Sequence, residues 1–434
     1  MPMQADLRQV VYALSDALDL VGVDDVAHGK RVGVMAAECA RSVGWPADQV
    51  QFVFDLGLLH DIGVSSTQTH RHLVSEFDWA GSQAHTEVGY QLLRDFAPLE
   101  AMALPIRYHH TRWDELVARG VPDAVAGLAN LVLLADRVDA IAGAYHSSYG
   151  ALQHRLGIQQ EIVRRQGSYF DPRWVEAFVQ VSSHEAFWLQ LEHRALNGYL
   201  SDMRSAAQPH QASNAEFRAL AQIFARIVDA KSPFTLTHSR GVARVARRLA
   251  EYFDVSTDHC DKLEIAGLLH DLGKLRVPDQ ILDKPGRLDE NERLTMNCHS
   301  FETLQILRNI KGFEEIGAWA AHHHEEPGGG GYPFGLDAAQ LPLEARILRV
   351  ADIFQAMLQH RPYRPGLGRE GVREFMLGLR DQGRIDVHIG AVLLAHLDEM
   401  IALALLDDGG SGAPRGHVAR AGVASPQADA RVQS

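Results

Sequence analysis

At 434 residues, 46% of them apolar and 22% charged, the chain exceeds one ordinary core and has the hydrophobic material for two or three domains of about 100–200 residues each. A formal charge of −13 argues against tracking a nucleic-acid polymer, which needs a broad basic surface, but leaves room for a small phosphate ligand held at metals. The opening MPMQADLRQVVYALSDALDL has no basic stretch followed by an apolar run and cleavage site, and no apolar run reaches 18 residues, so export and membrane insertion are not expected and a cytoplasmic location is.

Nearly every long segment reads at helical period, and no sustained strand alternation occurs. After His28, the residues Val32, Met35, Ala36 and Cys39 recur at three- and four-residue steps, as on a buried helix face. The stretch FVFDLGLLHD closes on His60-Asp61 and is followed by an apolar residue and Gly63. This predicts a buried helix ending at a turn, with the glycine as a left-handed cap. His85 and the pair His109-His110 follow, then Asp136 inside LVLLADRVDAI and the segment FDPRWVEAF at 170 to 178. Residues 201 to 214, SDMRSAAQPHQASN, have linker composition.

Beyond them the pattern returns. His238 precedes Val242, Val245, Ala246, Leu249 and Phe253 at helical spacing, and LEIAGLLHD closes on His270-Asp271. His299, His323-His324, Asp352 inside ARILRVADIFQAM, and IDVHIGAVL at 385 to 393 complete the series. From the lone histidine to the His-Asp pair is 32 residues in both copies, and from the third histidine to the His-His pair is 24 in both. The other gaps, 25 against 29 and 26 against 28, differ by insertions that loops accept. The series predicts a duplicated, all-α protein: domains at 1–205 and 206–405, then a tail at 406–434 too poor in apolar residues to pack and expected to be disordered. Cys39, Cys260 and Cys298 lack metal-type or disulfide spacing and read as buried thiols.

Each set, His28, His60, Asp61, His85, His109, His110, Asp136 and His238, His270, Asp271, His299, His323, His324, Asp352, is expected to converge on one cavity. Imidazole together with carboxylate suits a mixed N/O dinuclear site, and an aspartate can bridge two cations. Two close cations orient a phosphate, neutralise it and generate a hydroxide nucleophile near neutral pH. His322 would permit a one-residue shift of the ligating pair, but the conserved 24-residue spacing favours His323 and His324. The glycine run 328 to 331 reads either as a flexible linker or as an ordered loop.

HDLGKLRVPDQILDKPGRL from His270, HHEEPGGGGYP from His323 and ADIFQAMLQHRPYR from Ala351 together closely resemble the HD-GYP phosphodiesterases of the HD-domain phosphohydrolase superfamily. The match spans about 210 to 400, whereas the first half resembles only the general HD core. The resemblance implies an all-helical fold and hydrolysis of a cyclic dinucleotide, cyclic di-GMP or a mixed GMP-AMP ring, to a linear dinucleotide or mononucleotides. By the family pattern one metal is held by His238, His270, Asp271 and Asp352 and the other by His299, His323 and His324, Asp271 bridging, with iron or manganese as the metals. Asp271 and Lys274 carry catalysis, Lys274 meeting the substrate phosphate. Arg361 and Arg364 match the arginines near the dinucleotide pocket, and the glycine-rich loop implies docking of a signalling protein, with a homodimer left open.

The departures from that pattern are specific. Gly328 stands where the family has aspartate, Glu326 where it has a basic residue, Gln355 where an aspartate follows Asp352, and Phe234 where some members carry a glutamate for a third metal. Val64 replaces the lysine in the first half, and HHTRWDELVARGVP has no Gly-Tyr-Pro loop, leaving that half as a weak phosphohydrolase, a second-step nucleotidase or a regulatory domain. The competing functions are a non-catalytic nucleotide or protein sensor and a di-iron oxygenase, which Lys274 and the loop disfavour.

Overall fold

The computed structural model describes residues 6–22, 27–79, 81–145, 149–206, 210–232, 237–360 and 365–406. Among them secondary structure is helical apart from three isolated bridges, in agreement with the all-α expectation. No single helix there is long and apolar enough to cross a membrane. The tail from residue 407, together with Phe234, Arg361 and Arg364, lies outside the described residues.

The duplication is visible helix by helix. Leu7–Asp19, His28–Ser42 and Ala47–Leu59 open the first half; Asn214–Ala230, His238–Tyr252 and Thr257–Leu269 open the second. Gln83–Leu93 and Glu290–Leu307 carry the third histidines, and Glu100–Tyr108 and Glu314–Ala321 lead into the His-His pairs. Asp123–Ala142 and Leu343–Leu358 carry the distal aspartates. The later match holds as well: Asp171 caps Pro172–Ser182, and Asp386 caps Val387–Ala395.

The helix opening on His238 buries Val242, Val245, Ala246 and Leu249 on one stripe, the face that its apolar spacing dictates. It crosses the Thr257–Leu269 helix so closely that a Cβ on Gly267 would lie 2.8 Å from the Ala243 Cα. In the first half a Cβ on Gly57 would lie 2.5 Å from the Gly33 Cα. Each first histidine is thereby held against the helix that ends in the His-Asp pair.

The glycine after each pair does not serve as a left-handed cap, since neither Gly63 nor Gly273 has positive φ. Its reason is proximity. A Cβ on Gly63 would meet the His85 carbonyl oxygen at 2.0 Å, and one on Gly273 would meet that of His299 at 2.1 Å. The turn is pressed onto the helix that supplies the third histidine, and only a hydrogen fits between.

One apolar cluster runs through both halves, from Leu7 to Ala404. Of the segment with linker composition, residues 201–206 belong to the helix His193–Ala206, and Ser213 starts the next with a capping box to Glu216. Across the junction the Lys231 side chain is fully buried. Its ammonium reaches Asp279 Oδ1 at 3.1 Å, Thr67 Oγ1 at 3.2 Å and the Ser65 carbonyl at 3.3 Å. Asp279 in turn accepts from Ser66 Oγ and the backbone N–H groups of Thr67 and Gln68, closing the N-terminus of the Thr67–Ser75 helix. Residues Leu20–Gly22, just ahead of the His28 helix, pack on the turn Leu272–Arg276 that follows His270-Asp271.

Of the cysteines, Cys39 and Cys260 are buried as expected, but Cys298 is exposed. It sits next to His299 on a helix whose buried face is set by His299 itself, which turns the thiol outward toward the Leu294 carbonyl.

Gly273→Ala forces the turn off the His299 helix and is expected to cost about 1–3 kcal/mol of stability. Gly378→Ala, where a Cβ meets nothing within 4 Å, is expected to be neutral or stabilising. Thermal unfolding of the two variants side by side checks this; equal melting temperatures would refute the contact.

Candidate metal centres

In the second half, Asp271 is the hinge of the cluster. Its Oδ2 faces His270 Nε2 at 3.4 Å and His238 Nε2 at 3.8 Å, and its Oδ1 faces His299 Nε2 at 3.6 Å and His323 Nε2 at 3.8 Å. Asp352 Oδ1 lies 3.1 Å from His238 Nε2 and 3.7 Å from His270 Nε2. His324 groups with His299 and His323, whereas His322 points to Phe334. One carboxylate thus turns an oxygen to each of two imidazole sets, as a bridging ligand must.

The first half repeats the arrangement. Asp61 Oδ2 faces His60 at 3.5 Å and His28 at 3.9 Å, while Oδ1 faces His85 at 3.1 Å and His109 at 3.7 Å. Asp136 lies 3.4 Å from His28 and 3.9 Å from His110. The structure therefore brings together all seven residues of each set.

The backbone fixes which ring nitrogen faces inward. His60, His109, His270, His299 and His323 each place Nδ1 within 2.6–2.8 Å of the carbonyl three residues earlier. A carbonyl only accepts, so Nδ1 donates and Nε2 offers its lone pair to the centre. Buried atoms without a hydrogen-bond partner include Nε2 of His28, His60, His110 and His270 and Oδ1 of Asp61 and Asp271. Such atoms are costly to leave unsatisfied, and here all of them converge where divalent cations fit the donor set.

Charge is arranged to match. Burial works to raise the Asp271 carboxyl, but His270 and Lys274 beside it hold it well below the usual range. Burial likewise opposes ionisation of Asp61, Asp136 and Asp352, and the surrounding imidazoles, with Arg137 at Asp136, outweigh it. His299 and His109 are lowered to about 4 chiefly by burial, which leaves both neutral near pH 7, the form in which an imidazole can take a metal. Burial also lowers His323 and His324. His28 and His270 go the other way: burial opposes, but the carboxylates of Asp136 and Asp139, and of Asp271 and Asp352, raise them.

Several supporting residues carry no motif that sequence reasoning had used. Asp19 accepts from the Gly29 N–H at 3.2 Å and Asp229 from the Ser239 N–H at 3.2 Å, each holding the start of the helix that begins with the first histidine. Both lie nine residues before that histidine, a repeat signal that would have found them. Arg137, fully buried, bonds Asp136 Oδ2 at 2.8 Å and the carbonyls of Leu73, Glu76 and Phe77; Ile353 replaces it in the second half. His70 stands edge-on to His28 with ring centroids 6.0 Å apart.

The two halves also differ behind the first histidine. His28 Nδ1 donates to Asp139 at 2.7 Å, and Arg31 clamps that carboxylate. In the second half Gln355 and Gly241 take those places, the Gln355 side chain filling the space a Gly241 Cβ would occupy. Gln359 Oε1, at 3.1 Å, accepts from His238 Nδ1 instead. The loss of aspartate at 355 is thus met by a carboxamide one turn later.

At the mouth, Lys274 Nζ lies 2.6 Å from Asp271 Oδ2. Val64 holds the same backbone position but brings no charge: its N–H, like that of Lys274, bonds the aspartate carbonyl at 2.8 Å. The glycine run is an ordered loop. Buried Glu325 accepts from the N–H groups of Phe334 and Leu336, and a Cβ on Gly331 would lie 2.4 Å from the Glu325 Cα. Glu326 pairs with Arg349 at 2.8 Å and Arg384 at 2.9 Å, so the loop keeps a salt bridge of reversed polarity. Tyr332 stacks on His324 with centroids 4.7 Å apart.

Residues 26–141 and 222–389 each match the HD domain family. The 3'3'-cGAMP-specific phosphodiesterase 1 of Vibrio cholerae serotype O1 is 36% identical over 406 residues, covering 93% of this chain and 94% of that protein. The cyclic di-GMP phosphodiesterase response regulator RpfG of Xanthomonas campestris pv. campestris is 36% identical over 165 residues, 38% of this chain and 43% of that one. A crystal structure of a cyclic GMP-AMP-specific phosphodiesterase of V. cholerae aligns at a TM-score of 0.62 and 25% identity, over 93% of this chain and 99% of that chain.

Because neighbouring carboxylates raise His28 and His270, a metal competes with protons there, and its affinity is expected to rise with pH. Calorimetric titration of the metal-free protein with Mn²⁺ at pH 7, in buffers of different ionisation enthalpy, is expected to show net proton release on binding. Uptake without proton release would contradict the assignment.

Proposed function

The chain belongs to the HD-GYP phosphodiesterases of the HD-domain superfamily, and we propose that it hydrolyses a cyclic dinucleotide at the centre of residues 206–405, the mixed GMP-AMP ring ahead of cyclic di-GMP. The observation that carries this reading is Asp271, with one oxygen toward His238 and His270 and the other toward His299 and His323. The preference for the mixed ring rests on the V. cholerae relative matched over nearly the whole chain.

His238, His270, Asp271 and Asp352 would hold one divalent cation, and His299, His323, His324 and Asp271 the other, with iron or manganese suiting this N/O set. When bound, the cations supply charge neutralisation of the phosphodiester and acidify a water. The protein's own part is positional. Carbonyls three residues back hold the imidazoles of His270, His299 and His323 with Nε2 inward, and burial keeps bulk water from competing for them. Lys274, partly exposed above Asp271, is the compact cation that meets the phosphate and the charge developing on its oxygens.

Residues 1–205 play a supporting role. With Val64 at the mouth and Arg137 spending its charge on Asp136, that centre would bind metal without cleaving the ring. The exposed glycines 328–330 would offer a docking surface to a signalling protein.

The test is anaerobic hydrolysis of both rings by protein loaded with iron or manganese, with products separated by chromatography. Asp271→Ala is expected to lose metal and turnover together. Lys274→Ala should keep its metal while kcat/KM falls about 10²- to 10³-fold, the order for removing one charge-stabilising donor, and Asp61→Ala should keep ring hydrolysis. An active, metal-free Asp271→Ala protein would sink the assignment, and a metal-filled wild type that cleaves neither ring would make the protein a sensor.

A further inference from the structure

A cleft of about 410 Å³ opens from His324 and Tyr332 and runs between the Glu290–Leu307 helix and the helices at 343–358 and 369–381, a size that accommodates part of a dinucleotide. Its cations are not equivalent. Arg349 and Arg384 are both engaged by Glu326, whereas the side chains of Arg293 and Asn297 have no partner among the described residues. These two lie four apart on one face of their helix, and a second hollow beside the cleft is lined by the same pair. Phe375 adds an apolar ring, 38% exposed, to the opposite wall.

We propose that this cleft is the base-reading subsite for the nucleotide not held at the metals, a reading that rests on cyclic-dinucleotide hydrolysis in the second half. Asn297 offers a donor and an acceptor side by side, the pattern that matches the N6–H and N7 edge of adenine. Phe375 provides a face on which the base stacks. Arg293, one turn farther from His299, takes the ring phosphate remote from the metals, where a planar guanidinium suits phosphate oxygens. Glu326 holds Arg349 and Arg384 against the wall, so that they do not compete as phosphate ligands.

The first half supplies an internal contrast. Gln83 stands two residues before His85, as Asn297 stands two before His299, but its Nε2 is spent on the His110 carbonyl at 3.0 Å. Trp79 stands where the second half has Arg293. The duplicate therefore keeps the metal cluster and lacks both free recognition groups.

The experiment measures ring affinity by calorimetry on the metal-free full-length protein and hydrolysis on the manganese-loaded protein, using mixed cyclic GMP-AMP and cyclic di-GMP. Asn297→Ala, with Asn297→Leu as a second variant of similar bulk, is expected to weaken the mixed ring about tenfold, as loss of one paired base contact does, and cyclic di-GMP about threefold or less. Arg293→Gln is expected to weaken both rings alike and to flatten the salt dependence of binding. An unchanged ratio of the two affinities in both Asn297 variants overturns the subsite. Wild-type protein that binds the rings with Asn297-dependent selectivity yet cleaves neither would keep the subsite and overturn the phosphodiesterase reading instead.

Discussion

A single carboxylate that must face two imidazole sets at once governs the layout of each half. Asp271 and Asp61 can do so only if four or more helices deliver their histidines to one dry point with the Nε2 lone pair inward. The protein meets that demand with backbone: the carbonyl three residues before a histidine fixes its ring, the aspartate nine residues before the first histidine holds that helix's start, and a glycine lets the turn touch the next helix. Much of the cost of gathering buried polar groups is met before any ligand arrives, because these secondary contacts leave few orientations open.

On that shared skeleton the two halves distribute charge differently. The second keeps its cation, Lys274, at the mouth; the first keeps Arg137 on the floor and leaves the mouth to Val64. Behind the first histidine, one half uses a clamped aspartate and the other a glutamine. An aspartate acceptor makes an imidazole more basic than a carboxamide does. The same fold thus carries one cluster whose cation is paired on its floor and another with a lysine at its mouth, in line with the rule that function resides in the site rather than the architecture.

The convergence of the two His/Asp sets was legible because a shared centre ties residue type to helix phase, and two copies let each spacing check the other. What escaped had no such tie. Asp19 and Asp229 act through backbone N–H groups, for which many residue types would serve, so nothing in one copy marks them. Gly63 and Gly273 were legible as required glycines but not for their reason, since a left-handed turn and a close approach ask for the same residue and only the neighbouring helix distinguishes them. Polar composition at 201–214 read as a linker, yet its first six residues belong to the helix His193–Ala206 and Ser213 starts the next with a capping box. At the glycine-rich loop, the departure at Glu326 was visible, but its partners Arg349 and Arg384 are 23 and 58 residues away, a distance no local pattern spans.

The buried Lys231 ties the two halves of the duplication together. Its ammonium is satisfied only by groups from both halves, Ser65 and Thr67 on one side and Asp279 on the other. Cutting the chain in two would leave that charge without part of its shell and expose apolar surface that now belongs to one continuous core. The two copies therefore share one core and one buried charge, so the half with Val64 at its mouth also supplies part of the packing on which the other half rests.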